Sequence, residues 1–200
     1  MAVLLGACAG GIRIHPIQKV SASADTPYEK VLVIALFGSF DPRRYLEKEI
    51  VMQLADLGTD AVASTTMMDS RTPVIRDTFV AMVDKINADA VLVIQLTNFE
   101  SVGTEKTRRP ETTYNVWPTY YYNVWQVELT EYIEPPGMEY AHELVLATQL
   151  YSVAEEKPVW AIESVFQIIQ DMDVERDYGN YIKQANAIAR RMSRDGLLAR

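Results

Sequence analysis

The sequence contains few of the side chains that bind metals or form disulfides. It has one cysteine and two histidines among 200 residues. A disulfide within the chain is therefore excluded, and a metal site built from cysteine and histidine has almost no ligands to use. His15 precedes the predicted fold, and His142 has only Glu139 and Glu143 near it in the sequence. We therefore predict that the protein binds no metal and no cofactor.

Positive charge and long apolar runs are also scarce. Lysine and arginine together number 19 against 27 aspartates and glutamates, which gives a net charge of −8. An acidic chain has no general attraction to phosphate backbones, which argues against nucleic acid as a partner. No stretch approaches the roughly 18–20 apolar residues that a membrane-spanning helix needs. The 48% of hydrophobic residues is ordinary for one globular domain.

The sequence motifs of common enzyme classes are absent. There is no G-x-S-x-G nucleophile elbow, no G-x-G-x-x-G and no G-K-[ST]. Residues 38–41 (GSFD) follow the first predicted strand, where nucleotide loops lie in α/β folds, but Asp41 at the helix N-cap would repel a phosphate. Arg43 and Arg44 are interpreted as charges on the helix surface. The prediction is that the protein is not an enzyme.

The single cysteine carries the most specific positional signal. Residues 4–7 (LLGA) precede Cys8, and this pattern resembles the lipobox of bacterial lipoproteins. The resemblance implies cleavage before Cys8 and an acylated sulfur that anchors the protein in the cell envelope. Because Ala9, and not aspartate, follows the cysteine, it also implies the outer membrane, with the protein facing the periplasm. Only seven residues precede Cys8 and none is basic, so we expect the start codon upstream of Met1 and residues 1–7 to be a signal-peptide remnant. The alternative is a buried free cysteine near a frayed terminus.

The segment after the cysteine is predicted to be a tether. Residues 8–29 hold small and polar side chains without a sustained period. A flexible chain of ~20 residues has a root-mean-square reach of roughly 25 Å, which would hold the domain clear of the lipid headgroups. The folded part is then residues 30–200, as a single α/β domain.

The hydrophobic pattern predicts the order β-α-β-α-β-β-β-β-α. The strands are predicted at 30–37, 60–65, 90–96, 124–133, 140–153 and 159–169, and the helices at 41–57, 72–86 and 174–193. Continuous apolar strands joined by helices predict a parallel first half. Alternating strands joined by short turns predict an antiparallel meander in the second half of one mixed sheet. The first two helices are expected on the same face of the sheet or on opposite faces, according to the strand order. We expect one face to be covered by helices and the other to be at least partly exposed.

Residues 103–123 are predicted to form a long loop or an irregular hairpin, and a cluster of aromatic residues lies in its second half and just after it. Its members are Tyr114, Trp117, Tyr120, Tyr121, Tyr122 and Trp125. Large amphipathic rings are typical of binding hot spots, so one interpretation is a partner-binding surface, and contact with a membrane or a glycan is another. The plainer interpretation is a loop that folds back on the open sheet face and buries its rings. Arg108 and Arg109 just before the cluster would suit an acidic partner or anionic headgroups, or simply a solvated loop tip.

Several local patterns together resemble one family. The matching patterns are the first strand (KVLVIALF) and residues 58–62, 88–93, 158–161 and 195–198. Together with the lipobox and the order of elements, they resemble the TolB amino-terminal-domain-like envelope lipoproteins. That family includes CsgG-, LpoB- and PelC-type accessory proteins. The resemblance covers residues 30–199. It implies a non-enzymatic scaffold or assembly factor that binds an envelope protein and forms a homo-oligomer. The alternative is a glycan- or peptidoglycan-binding module that uses residues 114–125.

Overall fold

The computed structural model describes residues 12–20, 26–37, 39–69, 71–72, 75–104, 114–118, 125–129, 139–170 and 174–199. Its elements are β1 (Arg13–Gln18), β2 (Lys30–Leu36), α1 (Phe40–Asp56), β3 (Asp60–Ala63), a short 3-10 turn (Ser64–Thr66), α2 (Arg76–Ile86), β4 (Ala90–Thr104), β5 (Tyr114–Pro118), β6 (Trp125–Leu129), β7 (Glu139–Ser152), β8 (Lys157–Gln170) and α3 (Val174–Arg194). Six strands form one sheet in the order β1-β8-β7-β4-β2-β3, and β5 pairs with β6 separately. The predicted α/β class with a mixed sheet is confirmed.

The parallel half of the sheet is built on β2. This strand pairs in parallel with β3 on one side and with β4 on the other. Its residues from Val31 to Leu36 are all buried, because α1 covers one face of the sheet and α2 the other. Gly58 follows α1 with φ +90°, the left-handed conformation that ends a helix most easily at glycine, as the sequence predicts.

Helices lie on both faces of the sheet, which differs from the predicted single covered face. The buried side chains of α1 and α3 on the first face are Leu46, Ile50, Leu54, Ala185, Ile188, Ala189 and Met192. Those of α2 on the second face are Phe79, Met82 and Val83. Over β7 and β8 the second face is only half-buried, at Ala147, Gln149 and Glu163. Of the two arrangements that the sequence allows for α1 and α2, the structure has the one with opposite faces, since the connection from β3 to β4 passes over β2 on the other side from α1.

The antiparallel half differs from a simple meander. Strand β7 pairs with β4 on one side and with β8 on the other, and β4 continues to Thr104, well past its predicted end at residue 96. The predicted strand 124–133 lies in neither pairing. Its residues Trp125–Leu129 form β6, which pairs with β5 inside the segment predicted as a loop or an irregular hairpin. Because β4 is long, β7 finds its partner there rather than in the strand that precedes it in sequence.

The predicted tether contains a strand. Residues Arg13–Gln18 form β1, antiparallel to β8 at the edge of the sheet, with Ile14 opposite Ser164. Ile14 packs against the core, and Gln18 Nε2 donates a hydrogen bond to the Pro158 carbonyl at 3.1 Å. The outer edge of β8 would otherwise expose a row of backbone donors and acceptors, which β1 satisfies. Most of β1 is exposed, so its sequence shows no clear alternation.

Tyr28 provides a second attachment within the same segment. Its side chain is 1% exposed in the core. Its backbone N–H donates to the Leu197 carbonyl at 2.9 Å, and its carbonyl accepts from Ala199 N–H at 3.1 Å. The end of the predicted tether is thus fixed to the C-terminal segment, which follows α3.

Candidate functional site

The predicted site residues fall mostly outside the described part of the chain. This applies to Cys8, Arg108, Arg109, Tyr120, Tyr121 and Tyr122. Tyr114 and Trp117 lie in β5 and Trp125 in β6, where the register places Pro118 opposite Trp125. Tyr114, Trp117 and Trp125 therefore lie in one antiparallel pair of strands, and the role of the aromatic residues in binding a partner stays a prediction.

The described residues contain no group of three or more histidine, cysteine, aspartate or glutamate side chains that could hold a metal ion. His15 lies in β1 opposite Glu163, and His142 lies in β7 opposite Ile168. Within the same residues, no helix has the length and apolarity needed to span a membrane.

A buried ionic network joins the start of α1 to the ends of β2 and β3. Glu47 is 0% exposed and Arg43 is 5% exposed. Glu47 Oε1 accepts hydrogen bonds from the Ala35 N–H and the Ser64 hydroxyl, both at 2.8 Å, and Oε2 accepts from the Thr65 N–H at 2.8 Å. Arg43 Nε donates to the Ala35 carbonyl at 2.7 Å, and its Nη2 lies 3.9 Å from Glu47 Oε1.

These two side chains replace a missing stretch of strand. The pairing of β3 with β2 stops at Ala63, opposite Val33, where the chain turns into the 3-10 segment. Beyond that point Ala35 in β2 would present its N–H and carbonyl to the interior, and Glu47 and Arg43 satisfy them. The sequence-based interpretation of Arg43 as a surface charge was wrong. Arg43 lies on the buried face of α1, together with Leu46 and Ile50.

Burial and hydrogen bonding act on this pair in opposite directions. Burial raises the pKa of Glu47, while the Ala35 and Thr65 N–H groups and the Arg43 guanidinium lower it by smaller amounts. Burial likewise lowers the pKa of Arg43, and Glu47 opposes that shift. Both carboxylate oxygens of Glu47 accept hydrogen bonds from the protein itself, which is typical of a structural network that satisfies buried polar groups. Sequence reasoning missed Glu47, although its spacing from Arg43 on the buried stripe was a usable signal.

An open groove lies on the outside of the same helix. It has a volume of about 410 Å³ and runs between α1 and the edge strand β3. Its lining residues are Arg44, Lys48, Val51, Met52, Ala61, Val62, Ala63, Thr65 and Thr66. We call this feature the α1–β3 groove. The sequence did not predict it, because it depends on β3 being the last strand of the sheet.

A tyrosine cluster fixes α3 against α1 beside the groove. The Tyr45 and Tyr178 rings meet edge to face with centroids 5.7 Å apart, and Tyr181 lies 6.1 Å from Tyr45. The Tyr178 hydroxyl donates a short hydrogen bond to Glu49, which raises the pKa of Tyr178. Arg44 lies over the Tyr45 ring at 5.2 Å. This packing holds the helical wall of the α1–β3 groove in place.

Comparison with known proteins finds similarity among solved structures alone. No family model matches the chain, and no curated protein matches it. The PelC dodecamer from Paraburkholderia phytofirmans matches in two crystal forms, at 14% and 13% identity with TM-scores of 0.48 and 0.47, over 96% and 95% of this chain and 99% of the other. Lipoprotein GNA1162 from Neisseria meningitidis matches at 12% identity and TM-score 0.41, over 83% of this chain and 99% of the other.

A minor lipoprotein from Acinetobacter baumannii also matches, at 9% identity and TM-score 0.33, over 84% of this chain and 91% of the other. PelC, one of the protein types that the sequence resembles, is thus among the matching structures. With identities of 14% or less and TM-scores below 0.5, these similarities concern the backbone fold. They assign no activity and no partner to this chain. The narrower TolB-like type stays a prediction.

Proposed function

We propose that this chain is a non-enzymatic, lipid-anchored protein of a bacterial envelope that acts as a scaffold or assembly factor through protein–protein contacts. The observation that carries the proposal is the open α1–β3 groove, which adjoins a free sheet edge. Exposed sheet edges and apolar grooves are recurrent sites of peptide and protein binding. The buried Arg43–Glu47 pair, by contrast, is closed by internal hydrogen bonds, which favours a structural over a catalytic role.

A lipid anchor at Cys8 would lie close to the domain. Five residue steps separate Cys8 from Arg13, where β1 begins. An extended chain covers at most ~3.3–3.6 Å per residue, so the sheet would begin within roughly 17 Å of an acylated Cys8. The side chains of Arg13, Ile17 and Lys19 are exposed along this edge. The domain would therefore rest near the headgroups, rather than stand away from them on a tether of some twenty residues.

A homo-oligomer belongs to the same proposal. The six-stranded sheet ends in β1 on one side and β3 on the other, and neither end is closed by another strand of the described chain. An open edge allows copies of one chain to associate, and β1 is the edge available for such a contact, since the β3 edge borders the α1–β3 groove.

Site-specific photo-crosslinking in intact cells tests the scaffold role. The crosslinking group replaces Met52 in the α1–β3 groove, Tyr121 in the aromatic segment or, as a control, exposed Asp77 on α2. We expect discrete protein adducts from Met52 or Tyr121 and none from Asp77. Equal, diffuse labelling at all three positions would contradict a specific protein contact.

A fluorescence titration separates the scaffold role from glycan binding by residues 114–125. Soluble peptidoglycan fragments are added to the full-length chain while tryptophan emission is recorded, with Trp117→Ala as the matched variant. We expect no saturable change, since the proposed ligand is a protein. A saturable change that Trp117→Ala abolishes would replace the scaffold proposal by the glycan-binding one.

A further inference from the structure

The edge of the sheet at β3 is suited to accept another strand. Strand β3 pairs with β2 along one side and is the last strand in the sheet order. The other side of its backbone, from Asp60 to Ala63, faces away from the sheet and borders the α1–β3 groove. An extended peptide can add to such an edge through main-chain hydrogen bonds, while its side chains select the site through neighbouring pockets.

The helical wall of the groove supplies both an apolar surface and positive charge. Val51 and Met52 line it, and Met52 is 48% exposed. Arg44 and Lys48 lie one helical turn apart on the same wall. Arg44 contacts Asp41 at 3.2 Å, but this pair is exposed and of little energetic weight. In a chain of net charge −8, two adjacent cations beside an apolar groove indicate an acidic ligand.

We propose that the α1–β3 groove binds an extended acidic segment of a partner protein, which pairs with the free edge of β3. Alternate apolar side chains of that segment lie on Val51 and Met52, and its carboxylates lie beside Arg44 and Lys48. This inference specifies the contact surface of the proposed scaffold and rests on that proposed function for its partner.

The other open edge of the same chain does not fit the groove. Strand β1 and its continuation expose the cations Arg13 and Lys19. Pairing β1 of one copy with β3 of the next would bring these side chains toward Arg44 and Lys48. Like charges disfavour that contact, so a separate acidic protein is the better occupant than a second copy.

A peptide titration tests the groove directly. The probe is a short fluorescent peptide that alternates glutamate and valine, added to the full-length chain in detergent and followed by anisotropy. We expect saturable binding that weakens at least about tenfold in Lys48→Glu and in Arg44→Glu, because each replaces an attraction by a repulsion. Lys85→Glu, which makes the same charge change in the last turn of α2, should leave the affinity within about twofold of the wild type.

Two altered probes separate strand pairing from plain charge attraction. A peptide that alternates lysine and valine should not bind. A glutamate–valine peptide methylated on every backbone nitrogen should also fail, because neither of its edges can donate the ladder hydrogen bonds. Far-ultraviolet circular dichroism confirms that each variant is folded, and the methylated peptide tests the proposal without any variant.

Several outcomes would overturn the inference. These are equal affinity in Lys48→Glu and Lys85→Glu, undiminished binding of the methylated peptide, or no binding of the acidic peptide at all. A dimer that Lys48→Glu dissociates in sedimentation would make a second copy the occupant and would also overturn it. If the groove fails while Tyr121 still yields envelope adducts, the scaffold proposal stands on the aromatic segment. If peptide binding holds but no adduct forms at either position, the scaffold proposal fails independently.

Discussion

Glu47 shows at the scale of one residue how this fold accommodates a charge in its interior. Its carboxylate lies between α1, β2 and the 3-10 turn and accepts hydrogen bonds from Ala35, Ser64 and Thr65. A carboxylate buried without partners would cost several kcal/mol, so every one of these donors is needed. The same residue joins the end of β3 to the centre of the sheet.

Removal of the Glu47 carboxylate should therefore be severe. In Glu47→Ala, the buried Arg43 guanidinium loses its counter-charge and the Ala35 and Thr65 N–H groups lose their acceptor. We expect the free energy of unfolding to fall by roughly 3–5 kcal/mol in urea denaturation. Asp41→Ala, which breaks the exposed contact with Arg44, is the control and should cost less than about 1 kcal/mol. Similar losses for the two variants would show that the Glu47 network contributes no more to the free energy of unfolding than an exposed ion pair does.

Glu47 should also give the protein a pH-dependent stability. Because burial raises its pKa in the folded protein above the ordinary value of 4.5, the folded state holds a proton that the unfolded state has released. This contribution to stability is complete below pH 4.5 and is lost as the pH rises through the raised pKa. Glu47→Gln cannot ionise, so the melting temperature of the wild type minus that of this variant should fall across that range. A difference that rises with pH would contradict the direction of the shift.

At the scale of elements, β1 is the clearest departure from the sequence-based prediction. The strand is short, mostly exposed and bulged between Pro16 and Gln18, so its pattern resembles that of a loop. Its position is determined by the open edge of β8, a partner some 150 residues away in sequence. No local pattern encodes such a pairing.

Two isoleucines of β1 provide a matched test of that strand. Ile14 packs against the core, whereas Ile17 is 62% exposed at the bulge. We expect Ile14→Ala to lower the free energy of unfolding by roughly 2 kcal/mol and Ile17→Ala to change it by less than about 0.5 kcal/mol. Urea denaturation of both variants measures the difference. If the segment were a free tether, both substitutions would be neutral.

The elements that the sequence predicts best are those with a strong period. The predicted positions of β2, α1, β7, β8 and α3 agree closely with the structure, because buried runs and apolar stripes specify them locally. The start of α2 was predicted four residues too early, at Thr72. There the Asp69 carboxylate accepts hydrogen bonds from the Arg71 and Thr72 N–H groups, which gives that stretch a turn in place of a helical start.

At the scale of the whole molecule, sheet order determines what can bind. The sequence predicts β3 as a strand but not that it ends the sheet, so the α1–β3 groove, which depends on the sheet order, could not be predicted. The C-terminal end of α3 is tied back to the sheet, since Trp160 Nε1 and Arg191 Nε both donate to Asp195 at 2.8 Å. Both termini of the described chain thus attach to the sheet, with β1 nearest to Cys8 in sequence.

The lipid anchor at Cys8 is the central claim of this account, and mass spectrometry tests it most directly. The gene is expressed with its upstream region, and the intact protein from the membrane fraction is weighed beside a Cys8→Ala variant. We expect the wild type to begin at Cys8 and to carry the mass of attached acyl chains, and the variant to leave the membrane fraction. A wild-type protein that retains Met1 and carries no lipid would contradict the anchor and the envelope location together.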